Sequence, residues 1–127
     1  MISARNNKVL IVDDQPLNRL FLADLLKMHE INPTEATNGN EAVQQWLKND
    51  YAVILMDIKM PDLNGIDATR IIRQKEMEQG LAKTPIIAVT AYGTKETQND
   101  CRNAGMDGYI PKPVNVSDLL EMIENLH

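Results

Sequence analysis

Only one of the 127 residues is a cysteine, and that scarcity removes whole classes of chemistry. Cys101 alone excludes an internal disulfide and a cysteine metal cluster, and it reads as a small packing residue on a helix rather than a catalytic thiol. No run approaches about 18 consecutive apolar residues, so no membrane span and no direct membrane partner are expected. The stretch Met1 to Asn7 is too short and polar for a secretory signal, which points to a cytoplasmic chain. Positive charge is also short: the formal net charge of −5 argues against nucleic acid as a direct partner, since phosphate binding needs a basic face. Length leaves room for one domain over 1–127, with no output domain after it.

What is present centres on Val53 to Gly65. Ala52 to Met56 is five apolar residues in a row without a helical gap, as in a strand covered on both faces of a parallel sheet. The run stops at Asp57, followed by a turn around Pro61. In open α/β sheets ligands bind at the carboxyl ends of strands, so an acid there is a candidate functional residue.

The rest of the chain alternates strand-like and helix-like patterns. Lys8 to Val12 is an apolar strand ending at Asp13-Asp14, and Pro16 opens a helix expected to run to Met28. Its buried stripe is expected at Phe21, Leu22, Leu25 and Leu26, which leaves Leu17 and Leu20 off the stripe. Asn32 to Ala36 is a weak strand, and Asn38-Gly39 turns into a helix over Asn40 to Lys48 carrying Ala42, Val43, Trp46 and Leu47. Past Gly65, Ile66, Thr69 and Ile72 mark a third helix that is expected to dissolve into the polar stretch Lys75 to Lys83, with Gly80 as its stop. Ile86 to Val89 is a strand ending at Thr90; Lys95 to Ala104 is a polar helix closed by Gly105. Tyr109-Ile110 is a last strand before Pro111-Lys112-Pro113, and either Ser117 or Asn115 suits the cap of a final helix through Leu126. Five strands alternating with five helices predict a three-layer α/β sandwich with a parallel sheet.

The polar residues at the strand ends are Asp13, Asp14, Asp57, Thr90 and Lys112. Taken singly, Asp13 and Asp14 also suit helix caps, Thr90 a strand residue and Lys112 a surface lysine. Together they form a site. Carboxylates that converge repel each other unless a proton, a cation or a basic partner intervenes. Oxygen ligands of this kind suit Mg²⁺, Lys112 supplies a point charge for an anion, and Thr90 supplies a hydroxyl donor. Those are the parts of phosphoryl transfer to a carboxylate. His29 and His127 lack such partners and are assigned no role.

Val9-Leu-Ile-Val-Asp-Asp14, Met56-Asp-Ile-Lys-Met-Pro61 with Asn64-Gly65, Val89-Thr-Ala91 and Tyr109-Ile-Pro-Lys-Pro113 resemble the receiver domain of two-component response regulators, from about Lys8 to Leu126. The resemblance implies a flavodoxin-like, doubly wound five-stranded parallel sheet of order 2-1-3-4-5 with five helices. It implies that Asp57 accepts a phosphoryl group from a histidine kinase or a histidine phosphotransfer protein. Asp14, Asp57 and the backbone carbonyl of Lys59 would hold Mg²⁺, with Asp13 acting mainly through water. Lys112 would pair with the phosphoryl group, Thr90 would hydrogen-bond it, and Tyr109 would be the aromatic switch, outward or mixed in the unliganded state. Further implications are a cis bond between Lys112 and Pro113, a changeable face for an unnamed downstream protein, and no enzyme activity beyond self-phosphorylation and slow self-dephosphorylation.

Lys59 and Tyr92 flank the approach of water to the acceptor, and Asn18-Arg19 with the polar segment before Thr84 resembles receivers served by hybrid histidine kinases. Leu17 and Leu20, if solvent-facing beside the Asp57 pocket, form a docking surface for the histidine donor. The alternative is that both pack under the loop after Lys59 or against the last helix. Haloacid-dehalogenase-like phosphatases also use a nucleophilic Asp after a strand, but they want a second Asp where this chain has Lys59. A pseudo-receiver, binding partners without phosphorylation, would be expected to lack an acid or Lys112.

Overall fold

A computed structural model describes residues 7–91 and 93–126; Tyr92 and His127 lie outside the described residues. Five strands form one sheet: β1 (Lys8–Val12), β2 (Asn32–Ala36), β3 (Val53–Met56), β4 (Ile86–Thr90) and β5 (Gly108–Pro111). Their order is β2-β1-β3-β4-β5, and every neighbouring pair is parallel. The three central strands are apolar because both of their faces are covered, and every residue of β3 and β4 is buried. Edge strand β2 tolerates Pro33, which lacks an N–H for the ladder.

The connections carry helices α1 (Pro16–Met28), α2 (Gly39–Lys48), α3 (Gly65–Gln79), α4 (Lys95–Ala104) and, at the end, α5 (Val116–Asn125). Side chains alternate along each strand and so divide the core in two. Leu10, Val12, Ile54, Met56, Ile86 and Ala88 pack under α2, α3 and α4. Val9, Ile11, Val53, Leu55, Ile87 and Val89 pack under α1 and α5. Each fully buried Leu or Ile contributes roughly 1.5–3 kcal/mol of hydrophobic stabilisation. No described helix is long and apolar enough to cross a membrane.

Most element boundaries fall where the sequence pattern placed them, including α1, β2 and α4. Asn115, rather than Ser117, caps α5, its side chain accepting from the Asp118 N–H. Three expectations are corrected. Phe21 is 53% exposed, and the buried stripe of α1 is instead Leu22, Ala23 and Leu26, with Leu25 half-buried. At 100° per residue Phe21 falls with Leu17 and Leu20, on the opposite side of the helix from Leu22 and Leu26. Leu47 is likewise exposed, since Gly39, Ala42, Val43 and Trp46 already complete the buried face of α2.

The third correction concerns α3, which does not dissolve at Lys75 but continues to Gln79, where Gly80 stops it in a left-handed conformation at φ 65°. The extra turn is held by Glu76, a buried carboxylate on the same stripe as Ala68, Thr69 and Ile72. Glu76 accepts from Arg73 Nη1 at 2.8 Å and from the Thr84 N–H at 2.7 Å. Arg73 also donates to the carbonyls of Thr84 and Gly105 and to Asp107 Oδ2, each at 2.9 Å. Asp107 in turn accepts from the Ile86 N–H at 2.9 Å. This network ties the end of α3, the start of β4 and the turn before β5 together at the amino edge of the sheet. Among the described residues no buried side-chain nitrogen or oxygen lacks a hydrogen-bond partner.

Truncating one partner of a buried ion pair leaves the other charge desolvated and uncompensated. Glu76→Ala is therefore expected to lower stability by about 3 kcal/mol in urea unfolding. The exposed neighbour change Glu78→Ala should stay within about 0.5 kcal/mol. A loss at Glu76 no larger than at Glu78 would show that the network does not hold the helix end.

Candidate active site

Strand register assembles the site. Val12 pairs with Met56, and the Asp57 N–H donates to the Val12 carbonyl at 2.9 Å, so the residues that end β1 and β3 stand side by side. Thr90 ends β4 next door and is fully buried. The Lys112 N–H donates to the Thr90 carbonyl at 2.8 Å, which starts the loop after β5 beside the same edge. The Lys112–Pro113 bond is cis, as the family resemblance implied.

Side chains converge accordingly. Lys112 Nζ donates to Asp13 Oδ2 at 2.8 Å and to Asp57 Oδ2 at 3.1 Å. Asp13 and Asp57 are only 2% and 6% exposed, so both carboxylates are largely removed from water. Burial pushes the Asp57 carboxyl above its usual range; Lys112 opposes that shift and the Asp13 charge adds to it. Burial also disfavours the Lys112 ammonium, but its hydrogen bonds and attraction to Asp13 and Asp57 outweigh this and leave it raised.

The loop after Asp57 is closed by a glycine that has no substitute. A Cβ on Gly65 would collide with the Asp57 carbonyl and crowd the Met56 side chain. Without one, the Gly65 N–H donates to the Ile58 carbonyl at 2.9 Å and α3 begins directly against the site. Asn64 caps that helix by accepting from the Asp67 N–H at 2.9 Å. The turn leaves an open cleft lined by Asp14, Lys59, Met60, Pro61 and Asn64.

Ligand atoms of Asp13, Asp14 and Asp57 all lie within 4.8 Å of one another, and these hard anionic oxygens fit a small divalent cation. Both Asp13 oxygens are already engaged, Oδ1 by the Gln15 N–H at 2.8 Å and Oδ2 by Lys112. Asp57 Oδ2 likewise accepts from Lys112, and Asp14 lines the open cleft beside them. Tyr109, on β5, is half-buried against the α4 side of the core, and its hydroxyl reaches over Gly93. Leu17 and Leu20 are 78% and 55% exposed, so neither packs under the loop or against α5. Sequence reasoning missed Arg19, whose guanidinium donates to the Asp13 carbonyl at 2.7 Å. A signal was available, since Arg19 precedes Leu22, Ala23 and Leu26 at helical spacing.

A doubly wound parallel sheet with an acid cluster and a lysine at its carboxyl edge defines a class of α/β module whose polar site lies where such sheets bind ligands. Within that class, residues 9–124 match the response regulator receiver domain, and the chain belongs to that family. It is a receiver of two-component phosphorelay signalling. Hybrid signal transduction histidine kinase A of Dictyostelium discoideum is 35% identical over 121 residues, which are 94% of this chain but 6% of the kinase. A chain in the co-crystal structure of the Saccharomyces cerevisiae histidine phosphotransfer signaling protein Ypd1 with the receiver domain of Ssk1 superposes with a TM-score of 0.90 at 33% identity, covering 95% of this chain and 88% of that one. The receiver domain of a Pseudomonas aeruginosa PAO1 sensor histidine kinase, with magnesium coordinated in its active-site cleft, gives a TM-score of 0.85 at 31% identity over 95% of this chain and 97% of that one.

The raised carboxyl of Asp57 has a definite sign for stability. A folded-state pKa above the unfolded value means that the fold binds that proton more tightly, so ionised Asp57 destabilises the metal-free protein at pH 7. Stability from this group should rise as pH falls through the raised value. Asp57→Asn should therefore melt about 4 °C higher than the parent in metal-free buffer at pH 7, close to 1 kcal/mol for a domain of this size. The difference should shrink towards acid pH. A lower melting point for the variant at pH 7 would contradict the burial assignment.

Proposed function

We propose that Asp57 is the phosphoryl acceptor of this receiver and that Mg²⁺ is its cofactor, held by Asp14, Asp57 and the backbone carbonyl of Lys59, with Asp13 acting through water. The observation that carries this reading is the Lys112 ammonium bridging Asp13 and Asp57 at 2.8 and 3.1 Å. In the transfer step an Asp57 carboxylate oxygen attacks the phosphorus of a phosphohistidine. The O–P bond forms as the P–N bond breaks, and the imidazole leaves with its electron pair. Mg²⁺, when bound, neutralises charge on the phosphoryl oxygens. Lys112 then exchanges Asp57 for a phosphoryl oxygen, and the Thr90 hydroxyl donates to another.

Phosphorylation adds about −1.5 to −2 charge and three acceptor oxygens, which draws the already buried Thr90 inward, its hydroxyl towards the phosphoryl group, and lets Tyr109 occupy the space it vacates. The α4-β5-α5 face is read by a downstream protein in consequence. Lys59 stands where a phosphatase of the haloacid-dehalogenase type needs a second acid, which favours an acceptor over a hydrolase. Turnover is accordingly limited to self-phosphorylation and slow self-dephosphorylation. The buried free thiol of Cys101 suits the cytoplasm, where histidine kinases are supplied with ATP.

Exposed Leu17 and Leu20, joined by Phe21, form the apolar surface on which the histidine donor docks. Such a donor is a kinase or a four-helix phosphotransfer domain; the yeast complex likewise pairs a receiver domain with a histidine phosphotransfer signaling protein. With Mg²⁺ and a small phosphodonor, mass spectrometry should find one acyl phosphate in the parent and none in Asp57→Asn. A stoichiometric acyl phosphate in that variant would overturn the assignment. Replacing Leu17 and Leu20 by Ser should slow transfer from a histidine phosphodonor protein about tenfold, on the scale of one hot-spot pair, while labelling by the small donor is unchanged. Equal loss in both assays would mean that the leucines support the fold and do not contact the donor.

A further inference from the structure

We propose that Arg19 is a positioning residue for the metal site: it fixes the peptide between Asp13 and Asp14 so that Asp14 faces Asp57 across one cation. The proposal rests on the Mg²⁺ reading of the acid cluster. Arg19 occupies the first place of the stripe Arg19, Leu22, Ala23 and Leu26, on the buried side of α1, and its side chain is 15% exposed. An arginine enclosed in this way is placed for specific bonds rather than for solubility.

Two such bonds join it to described residues. Nη1 donates to the Asp13 carbonyl at 2.7 Å, and Nε donates to Glu35 Oε1, on β2, at 3.2 Å. The planar fork satisfies both acceptors at once, so Glu35 sets the direction from which the guanidinium meets the carbonyl. That carbonyl lies in the plane of the Asp13–Asp14 peptide, and anchoring it fixes the plane from which the Asp14 side chain departs. The turn has other ties, the Asp13 N–H to the Ala36 carbonyl at 3.1 Å and the Gln15 N–H to Asp13 Oδ1 at 2.8 Å. These engage the N–H groups of the peptides on either side, and among the described residues Arg19 is the group that bonds the carbonyl of the peptide between them.

A positive charge beside a cation site also repels the cation, and the two effects have opposite signs. By charge alone, Arg19→Gln would tighten Mg²⁺ binding and Arg19→Lys would leave it unchanged. If Arg19 positions the peptide, both variants weaken binding, because a lysine ammonium keeps the charge but loses the fork. Outer residues that orient metal ligands typically influence affinity by 10- to 100-fold, enough for positioning to prevail.

Mg²⁺ titration of the whole chain, followed by amide chemical shifts, separates these outcomes. Binding about tenfold weaker is expected for Arg19→Gln, with Arg19→Lys between it and the parent and the metal-free spectra still those of a folded domain. Arg73→Lys, in the remote network at the amino edge, is the stability control: it should lower the melting temperature while leaving Mg²⁺ affinity at the parental value. Unchanged or tighter binding in Arg19→Gln overturns the proposal, and so does an equal loss in Arg73→Lys. A parent that binds no Mg²⁺ removes the reading of the cluster and the proposal with it. A parent that binds normally, beside unaffected Arg19 variants, removes the proposal alone.

Discussion

Three carboxylates brought together at the carboxyl edge of the sheet, Asp13 and Asp57 buried and Asp14 half-buried, are the constraint around which this structure is arranged. Two like charges about 4 Å apart repel by about 4 kcal/mol at an effective dielectric constant of 20, before desolvation is considered. Lys112 offsets that repulsion by donating to Asp13 and Asp57 together, and burial, more than the Asp13 charge, leaves the Asp57 carboxyl raised. A buried acid with a raised carboxyl is one whose negative charge the resting fold disfavours.

Holding such a cluster demands a rigid frame, which the two edges of the sheet divide between them. At the amino edge Arg73, Glu76 and Asp107 bind the start of β4 and the turn before β5 through bonds of 2.7–2.9 Å. At the carboxyl edge Lys112 fixes the other end of β5 to the acids. Tyr109 lies between these two moorings. Strand β5 is therefore held at both of its ends.

Around Asp57 the tolerance is set by backbone contacts. Gly65 admits the Asp57 carbonyl where any side chain would collide with it, and Gly39 admits the Leu63 carbonyl in the same way, with its N–H donating there at 2.8 Å. The loop after Asp57 is therefore held on both sides by main chain. Its Lys59, Met60, Pro61 and Asn64 line the cleft beside Asp14.

The sequence by itself determined the alternation of strands and helices, the strand ends and the acids, threonine and lysine that occupy them. Apolar period, proline, glycine and capping residues report local burial and backbone geometry, and those are local properties. Tertiary structure decided what depends on partners distant in the chain. Phe21 faces outward because the inner side of α1 is taken by Leu22, Ala23 and Leu26 together with Arg19, which bonds the Asp13 carbonyl and Glu35 on β2. The last turn of α3 formed because Glu76 finds Arg73 and the Thr84 amide, and a polar stretch carries no mark of such a partner until the chain has folded. Apolar burial is nearly additive along a sequence, whereas the burial of a charge depends on one particular group meeting it at about 3 Å, and only the assembled fold settles that.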